Sequence, residues 1–155
     1  TFEATDLAAL VENVVKARED RGLNHGRLVV LEQHGRPALV MGVPLRLERV
    51  IDNLLDNAVS FSPPEGGIQV SVEQLDDCIR ATVCDEGPGI PADVREKVFA
   101  RFHSHRPEGE SFGNHSGLGL AIARTIAEAH DGTLYVADRP DGCPGACLVL
   151  ELPAA

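Results

Sequence analysis

Two asparagines, Asn53 and Asn57, stand four residues apart within residues 46–61 (RLERVIDNLLDNAVSF). On a helix they would share one face. Asn is a mediocre helix former, so such a pair on an otherwise apolar helix costs stability. One explanation is two solvated amides on the outer face. The other is an amide oxygen that ligates Mg²⁺, an ion that takes oxygen ligands and keeps several waters. Asp52 and Asp56 repeat the spacing on an adjacent strip.

A second group is Asp85-Glu86-Gly87-Pro88-Gly89-Ile90-Pro91, directly after the strand-like Thr82-Val83-Cys84. An acid at a strand end followed by glycines lets a small molecule approach the backbone closely. The carboxylate could accept a hydrogen bond from an exocyclic amine such as adenine N6. A plain surface turn would look similar. A third group, Ser116-Gly117-Leu118-Gly119-Leu120-Ala121-Ile122, runs straight into helical sequence. Glycines at a helix start leave N–H groups open, and the positive dipole end favours phosphate. A glycine-rich helix entry without a ligand is the alternative. Between the two groups, residues 103–115 are too long and polar for an ordinary connection. They read as a lid whose flanking Arg101 and inner Arg106 could meet phosphate charge, or simply solvate.

The elements that must position these residues follow from periodicity. Thr5 or Asp6 can cap a helix carrying Leu7, Leu10, Val11, Val14 and Val15, ended by Gly22 and Gly26. Residues 27–33 and 38–41 read as short strands around a turn at 34–37. Pro44 opens a second helix bearing Leu47, Val50, Ile51, Leu54, Leu55 and Ala58. Residues 68–75 and 78–84 alternate and form a hairpin through Asp76-Asp77. A short helix follows at 92–102 and a long one at 117–130. Strands at 133–137 and 146–152 close the chain around Pro140-Asp141-Gly142. This order predicts an α+β fold, one largely antiparallel sheet covered on one face by helices.

Composition narrows the classes. The chain has 155 residues, 43% hydrophobic and 25% charged, enough for one domain with a mostly aliphatic core. With 14 basic and 24 acidic residues the net charge is −10, which argues against nucleic acid and anionic membrane as partners. No apolar run approaches the ~20 residues of a membrane span. The chain opens on Thr1 with no leader pattern and reads as a segment of a longer protein. Cys78, Cys84, Cys143 and Cys147 include no C-x-x-C pair, so buried or incidental thiols in a reducing compartment are expected. Cys143 and Cys147 with His130 upstream imitate a metal site, but their spacing misses the usual zinc patterns.

In this order and spacing, the features resemble the catalytic, ATP-binding domain of sensor histidine kinases. That family belongs to the Bergerat-fold superfamily of gyrase B, Hsp90 and MutL. Residues 53–58 resemble its N box, 85–90 its G1 box, 98–102 its F box and 117–120 its G2 box. The ending from Gly145-Ala146 to Leu152-Pro153 is similar to the kinases' last strand. The resemblance implies a two-layer α/β sandwich over residues 1–155. Its mixed, mostly antiparallel sheet of about five strands would be covered on one face by about three helices. It implies that Asn57 ligates Mg²⁺ and that Asn53 lies near the phosphates. Asp85 would hold the adenine amine, with Gly87 and Gly89 letting the purine sit against backbone. Gly117 and Gly119, with Leu118 between them, would offer N–H groups to the phosphates. Ile90 and Leu120 would line the adenine slot, and Phe99 and Phe102 would anchor the lid. Arg101 or Arg106 would approach the γ-phosphate and share the catalytic role with Asn57.

The cofactors so implied are ATP and Mg²⁺. The γ-phosphoryl would pass to a histidine on the protein's own dimerisation domain, and a response regulator would act downstream. None of His25, His34, His103, His105, His115 and His130 is followed by the acidic residue and Pro typical of an acceptor site. The domain is expected to be a cytoplasmic monomer with little turnover alone, compatible with an inner-membrane parent. Two residues depart from the pattern. Ser60 stands where many such kinases carry Lys or Arg, and His115 where the G2 box usually opens with Gly. The conformational ATPases of the superfamily activate water with a Glu at the position of Asn53, and an amide cannot act as that base. An anti-sigma-type serine kinase of the same fold and a degenerate nucleotide-binding or interaction module are the other readings.

Overall fold

The computed structural model describes residues 1–34, 37–100 and 118–155. Strand β1 (Glu3–Asp6) leads into helix α1 (Leu7–Asp20). Asp6 is the cap: its Oδ1 accepts from the N–H groups of Ala8 at 3.1 Å and Ala9 at 3.4 Å. The same oxygen accepts from Ala38 N–H at 3.2 Å, which ties the helix start to the approach of strand β3 (Leu39–Gly42). Strand β2 (Leu28–His34) lies between them in sequence. Helix α2 (Pro44–Phe61) follows, with Pro44 in its first turn where the missing N–H does no harm. Strands β4 (Gly67–Gln74) and β5 (Cys78–Cys84) form the hairpin. Helix α3 (Gly119–Ala129) and strands β6 (Thr133–Asp138) and β7 (Ala146–Pro153) complete the order.

The five-stranded sheet runs β2-β4-β5-β7-β6. Only β2 and β4 are parallel; the other pairs are antiparallel. Register puts Val70, Val83, Leu148 and Val136 in one row across the sheet, and Val72, Ala81, Leu150 and Leu134 in the next. These rows form one buried cluster with Leu47, Ile51, Leu54 and Leu55 of α2 and with Leu7 and Val11 of α1. The helices thus cover one face, as the α+β reading expects. The opposite face carries Glu73, Arg80, Thr82, Tyr135 and Glu151, where Arg80 Nε donates to Glu151 at 3.0 Å and Tyr135 OH donates to it at 2.7 Å. No described helix is long and apolar enough to cross a membrane.

Three expectations change. Strands β2 and β3 are not partners: β2 pairs with β4, and β3 forms a separate two-stranded ribbon with β1. The alternation revealed each strand's faces but carried no information about its neighbour. Where a helix is expected at 92–102, the described part of that span, 92–100, forms two single 3-10 turns, Ala92–Val94 and Lys97–Phe99. Here tertiary anchors override propensity: Val98 and Phe99 are buried, and Arg95 Nε donates to the Ile90 carbonyl at 2.9 Å. Finally, Cys84 and Cys147, directly opposed across β5 and β7, form a disulfide, while Cys78 and Cys143 remain thiols. Cys84 lies on the face opposite the helices, in a small cluster with Val149, Tyr135 and Ala137.

Candidate functional site

Helix α2 brings its apolar stripe onto the sheet, and this fixes where its polar residues go. Asp52 and Asp56 point towards α1. Arg18, with only 5% of its side chain exposed, donates Nη1 to Asp52 at 3.1 Å and Nη2 to Asp56 at 2.8 Å. The carboxylate pair of α2 is therefore a brace between two helices. Asn57 behaves differently. It is 7% exposed, yet its amide makes no hydrogen bond with any described residue. Its amide atoms are not among the buried side-chain atoms that lack a partner, so burial alone does not call for a ligand there; the helix presents this amide on the same strip as Asn53. Asn53, one turn earlier, donates Nδ2–H to the carbonyl of Gly119 at 3.0 Å. That bond locks α2 to the first residue of α3.

Asp85, just beyond β5, is buried and held from several sides. Its N–H donates to the Ala146 carbonyl at 2.9 Å. Its Oδ1 accepts from Gly87 N–H at 2.9 Å and from Ala146 N–H at 3.2 Å. Its Oδ2 takes no hydrogen bond from the described residues. Burial pushes this carboxyl above its ordinary pKa, against the two backbone donors and the Arg139 charge, which pull it down. The loop beyond it needs glycine for a steric reason: a Cβ on Gly87 would sit 2.6 Å from the Phe61 carbonyl oxygen at the end of α2. Gly89 takes a left-handed φ of +82° against Gly145. Ile90 is buried beside this loop.

At the other side, α3 starts with no side-chain cap on Leu118 and no acidic residue in its first turn. Among the described residues no side chain caps its leading N–H groups, the kind of helix start that favours an anion. Leu120 is half-buried at the edge of the core. Phe99 is buried, with the Arg124 guanidinium 4.3 Å over its ring, so the second 3-10 turn is clipped to α3. Ser60 is fully buried, so no exposed side chain stands at this position of α2. The sequence-derived candidates Asn53, Asn57, Asp85, Gly87, Gly89, Ile90, Leu118, Gly119 and Leu120 are all described, on α2, the β5 exit and the α3 entry. Arg101, Phe102, Arg106 and Gly117 fall outside the described residues, as do His103, His105 and His115.

Two groups around Asp85 escape sequence reasoning. Arg139 is buried and donates Nη1 to the Asp85 carbonyl at 2.9 Å. Gly145, at φ +135°, packs directly under that same carbonyl. Both lie far from Asp85 in sequence; the turn at 140–142 and the resemblance of the last strand mark their surroundings but not their contact with Asp85. His130, once weighed as a metal ligand, is a structural residue: its Nε2 accepts from Val43 N–H at 3.1 Å and its Nδ1 lies 2.8 Å from the Ile126 carbonyl. Among the described residues no three His, Cys, Asp or Glu side chains cluster to hold a metal. An oxygen-loving ion here would depend on Asn57 and on the ligand's own oxygens, which suits Mg²⁺ with a phosphate ester. The Asn57 amide, the Oδ2 of Asp85 and the start of α3, none of them claimed by a described side chain, are groups that suit a magnesium nucleotide.

The chain belongs to the family described as Histidine kinase-, DNA gyrase B-, and HSP90-like ATPase, which matches residues 42–155. Its similarities within that family are to sensor kinases. It is 41% identical over 160 residues to the sensor protein ChvG of Rhizobium meliloti, covering 96% of this chain and 28% of that protein. It is 37% identical over 114 residues to the signal transduction histidine-protein kinase BaeS of Escherichia coli, covering 74% and 24%. The chain thus spans about a quarter of the length of these relatives. Among solved structures, the mycobacterial sensor histidine kinase MprB superposes with a TM-score of 0.81 at 31% identity, covering 99% of this chain and 98% of that one. Full-length ShkA in complex with AMPPNP gives 0.82 at 26% identity, covering 100% and 31%.

Proposed function

We propose that this chain binds Mg-ATP between α2, the β5 exit and the α3 entry. It then donates the γ-phosphoryl group to a histidine on a separate dimerisation domain, as the catalytic half of a two-component sensor kinase with a response regulator downstream. The observation that carries the reading is the buried Asp85 carboxylate at the β5 exit, whose Oδ1 is held by two backbone N–H groups beside the glycine loop. Asn57 would hold Mg²⁺, which would draw charge from the phosphates during transfer. Phosphoryl transfer is mostly positioning and charge stabilisation, so this chain supplies no nucleophile. Asp85 Oδ2 accepts from the adenine amine, and Gly87 and Gly89 let the ring approach. The α3 entry, with Gly117, Leu118 and Gly119, meets the phosphates. Arg101 and Arg106 enter the proposal from the sequence alone, as the cations for the γ-phosphate. The binding of AMPPNP by ShkA supports ATP as the ligand. A water-activating ATPase is disfavoured because Asn53 is an amide, already donating to Gly119. The proposal puts the domain in the cytoplasm, where ATP is plentiful, as part of a parent held at the inner membrane.

Calorimetric titration with ADP and a non-hydrolysable ATP analogue, each with and without Mg²⁺, tests the reading. Saturable 1:1 binding that strengthens with Mg²⁺ is expected; no binding by the 155-residue chain would overturn it. Asp85 adds a pH signature. A carboxyl whose folded pKa lies above 3.8 favours folding while protonated, so its contribution to ligand-free stability falls as pH rises through that window. Adenine binding runs the other way, because the amine needs the carboxylate. The ratio of ATP to GTP affinity should therefore fall on acidification, at a pH above the ordinary carboxyl range. A ratio independent of pH would exclude Asp85 from adenine recognition.

A further inference from the structure

We propose that Arg139 is a positioning residue for nucleotide selection: it holds the Asp85 peptide so that the free carboxylate oxygen faces the adenine amine. The inference rests on the reading that Asp85 recognises adenine. Arg139 sits just past β6, with 5% of its side chain exposed. One edge of its guanidinium is taken by Asp141, Nε to Oδ1 at 3.1 Å and Nη2 to Oδ2 at 2.7 Å. Asp141 is itself held by Cys143 N–H at 3.0 Å, and these donors draw its pKa down to about 2. The remaining Nη1 reaches the Asp85 carbonyl at 2.9 Å. A planar fork engaged on one edge by a carboxylate has a fixed direction on the other.

The bracket acts on the part of Asp85 that sets where its carboxylate points. Ala146 takes the Asp85 N–H and gives its own N–H to Oδ1. Gly145, next in line, leaves room for the Asp85 carbonyl to reach Arg139; a Cβ there would lie 2.9 Å from Arg139 Cδ. With the peptide and Oδ1 both held, only Oδ2 is left to accept from a ligand. Among the described residues, the Arg139 charge also favours ionised Asp85. Glu86, the neighbouring acid, is turned aside and accepts from Gly67 N–H at 2.9 Å. ATP offers an amine to Oδ2, whereas GTP presents a carbonyl oxygen that a carboxylate repels. Arg139 therefore controls the preference between them without touching the base.

The test is the ratio of ATP to GTP affinity, measured by calorimetry across pH on the 155-residue chain. Arg139→Leu is expected to weaken ATP about tenfold with little change for GTP, and to move the pH midpoint of the ratio upward. Arg139→Lys, which keeps the charge but loses the fork, is expected to keep the midpoint near that of the parent and recover part of the ratio. Equal weakening of both nucleotides with an unmoved midpoint would mean a merely structural arginine and overturn the inference. Should Arg139→Leu fail to fold, Asp141→Asn loosens the same bracket from the exposed side. It is expected to lower the ratio in the same direction, and an unchanged ratio there also overturns the inference. Asp85→Asn separates the two failures. If it leaves the ratio intact, the adenine reading falls; if it abolishes the ratio while the Arg139 and Asp141 variants do not, only this inference falls.

Discussion

Asn57→Ala is expected to remove the Mg²⁺-dependent part of ATP affinity, about a hundredfold, while leaving the unfolding temperature unchanged or slightly higher. The two halves of this result have separate causes. In the folded chain the Asn57 amide makes no hydrogen bond with the described residues, so truncating it breaks nothing. Alanine is the better helix former by up to about 0.7 kcal/mol in a helix interior. The affinity loss of about 2.7 kcal/mol is that of a metal ligand withdrawn from a site with few others. Asn57 would then be a residue kept at the expense of stability, a common pattern where function sets the side chain. Calorimetry with and without Mg²⁺, paired with thermal unfolding, reads both halves. A large drop in unfolding temperature would make Asn57 a structural residue, and unchanged Mg²⁺ coupling would remove it from the metal site.

Gly145→Ala is expected to damage stability and binding together. The residue has φ +135°, a region that L side chains rarely adopt. Its added methyl would overlap the Asp85 carbonyl oxygen, a backbone atom that cannot swing away. Strain of this kind costs about 1–3 kcal/mol for the conformation alone, before any overlap. A total near 3 kcal/mol corresponds to a fall of roughly 10 °C in a chain of this length. Gly142 provides the control in the same turn. It too has a left-handed φ, +75°, but nothing lies within 4 Å of its would-be Cβ. Gly142→Ala should cost only the conformational part and leave ATP affinity intact. Equal effects of the two substitutions would show that the contact with Asp85 contributes nothing.

Much of this arrangement is legible in residue spacing. The stripe on α2 predicts which side of that helix is buried, and so leaves Asn53 and Asn57 on a different strip. Alternation through 68–75 and 78–84 predicts the β4–β5 hairpin, whose turn is local. Pairings between distant segments were not legible. The β2–β4 parallel pair, the β1–β3 ribbon and the Cys84–Cys147 disulfide each join residues whose local patterns say only which face they occupy. The lack of a C-x-x-C pair predicts thiols, whereas Cys84 and Cys147, 63 residues apart, become opposed only through the β5–β7 register. Arg139 illustrates the same limit at the site. A charged residue before Pro-Asp-Gly looks like a solvated turn until the fold places the Asp85 carbonyl above it. The 3-10 turns at 92–99 were misread because burial of Val98 and Phe99, more than helical propensity, decides that segment.

Strand β7, residues 146–153, is inserted between β5 and β6. On the ribosome this order has a cost in time. The β4–β5 hairpin emerges early, but the free edge of β5 must wait for a partner made more than sixty residues later. For several seconds of bacterial translation that edge is an open template for another chain. Asp85 lies just beyond the end of β5, and Ala146, which donates one hydrogen bond to it and accepts another from it, comes with the missing strand. The nucleotide pocket therefore cannot be finished before the sheet. A nascent chain that stalls short of residue 146 would carry the N-box helix and the glycine loop yet hold no ATP, and its exposed hairpin would be a ready client for a chaperone.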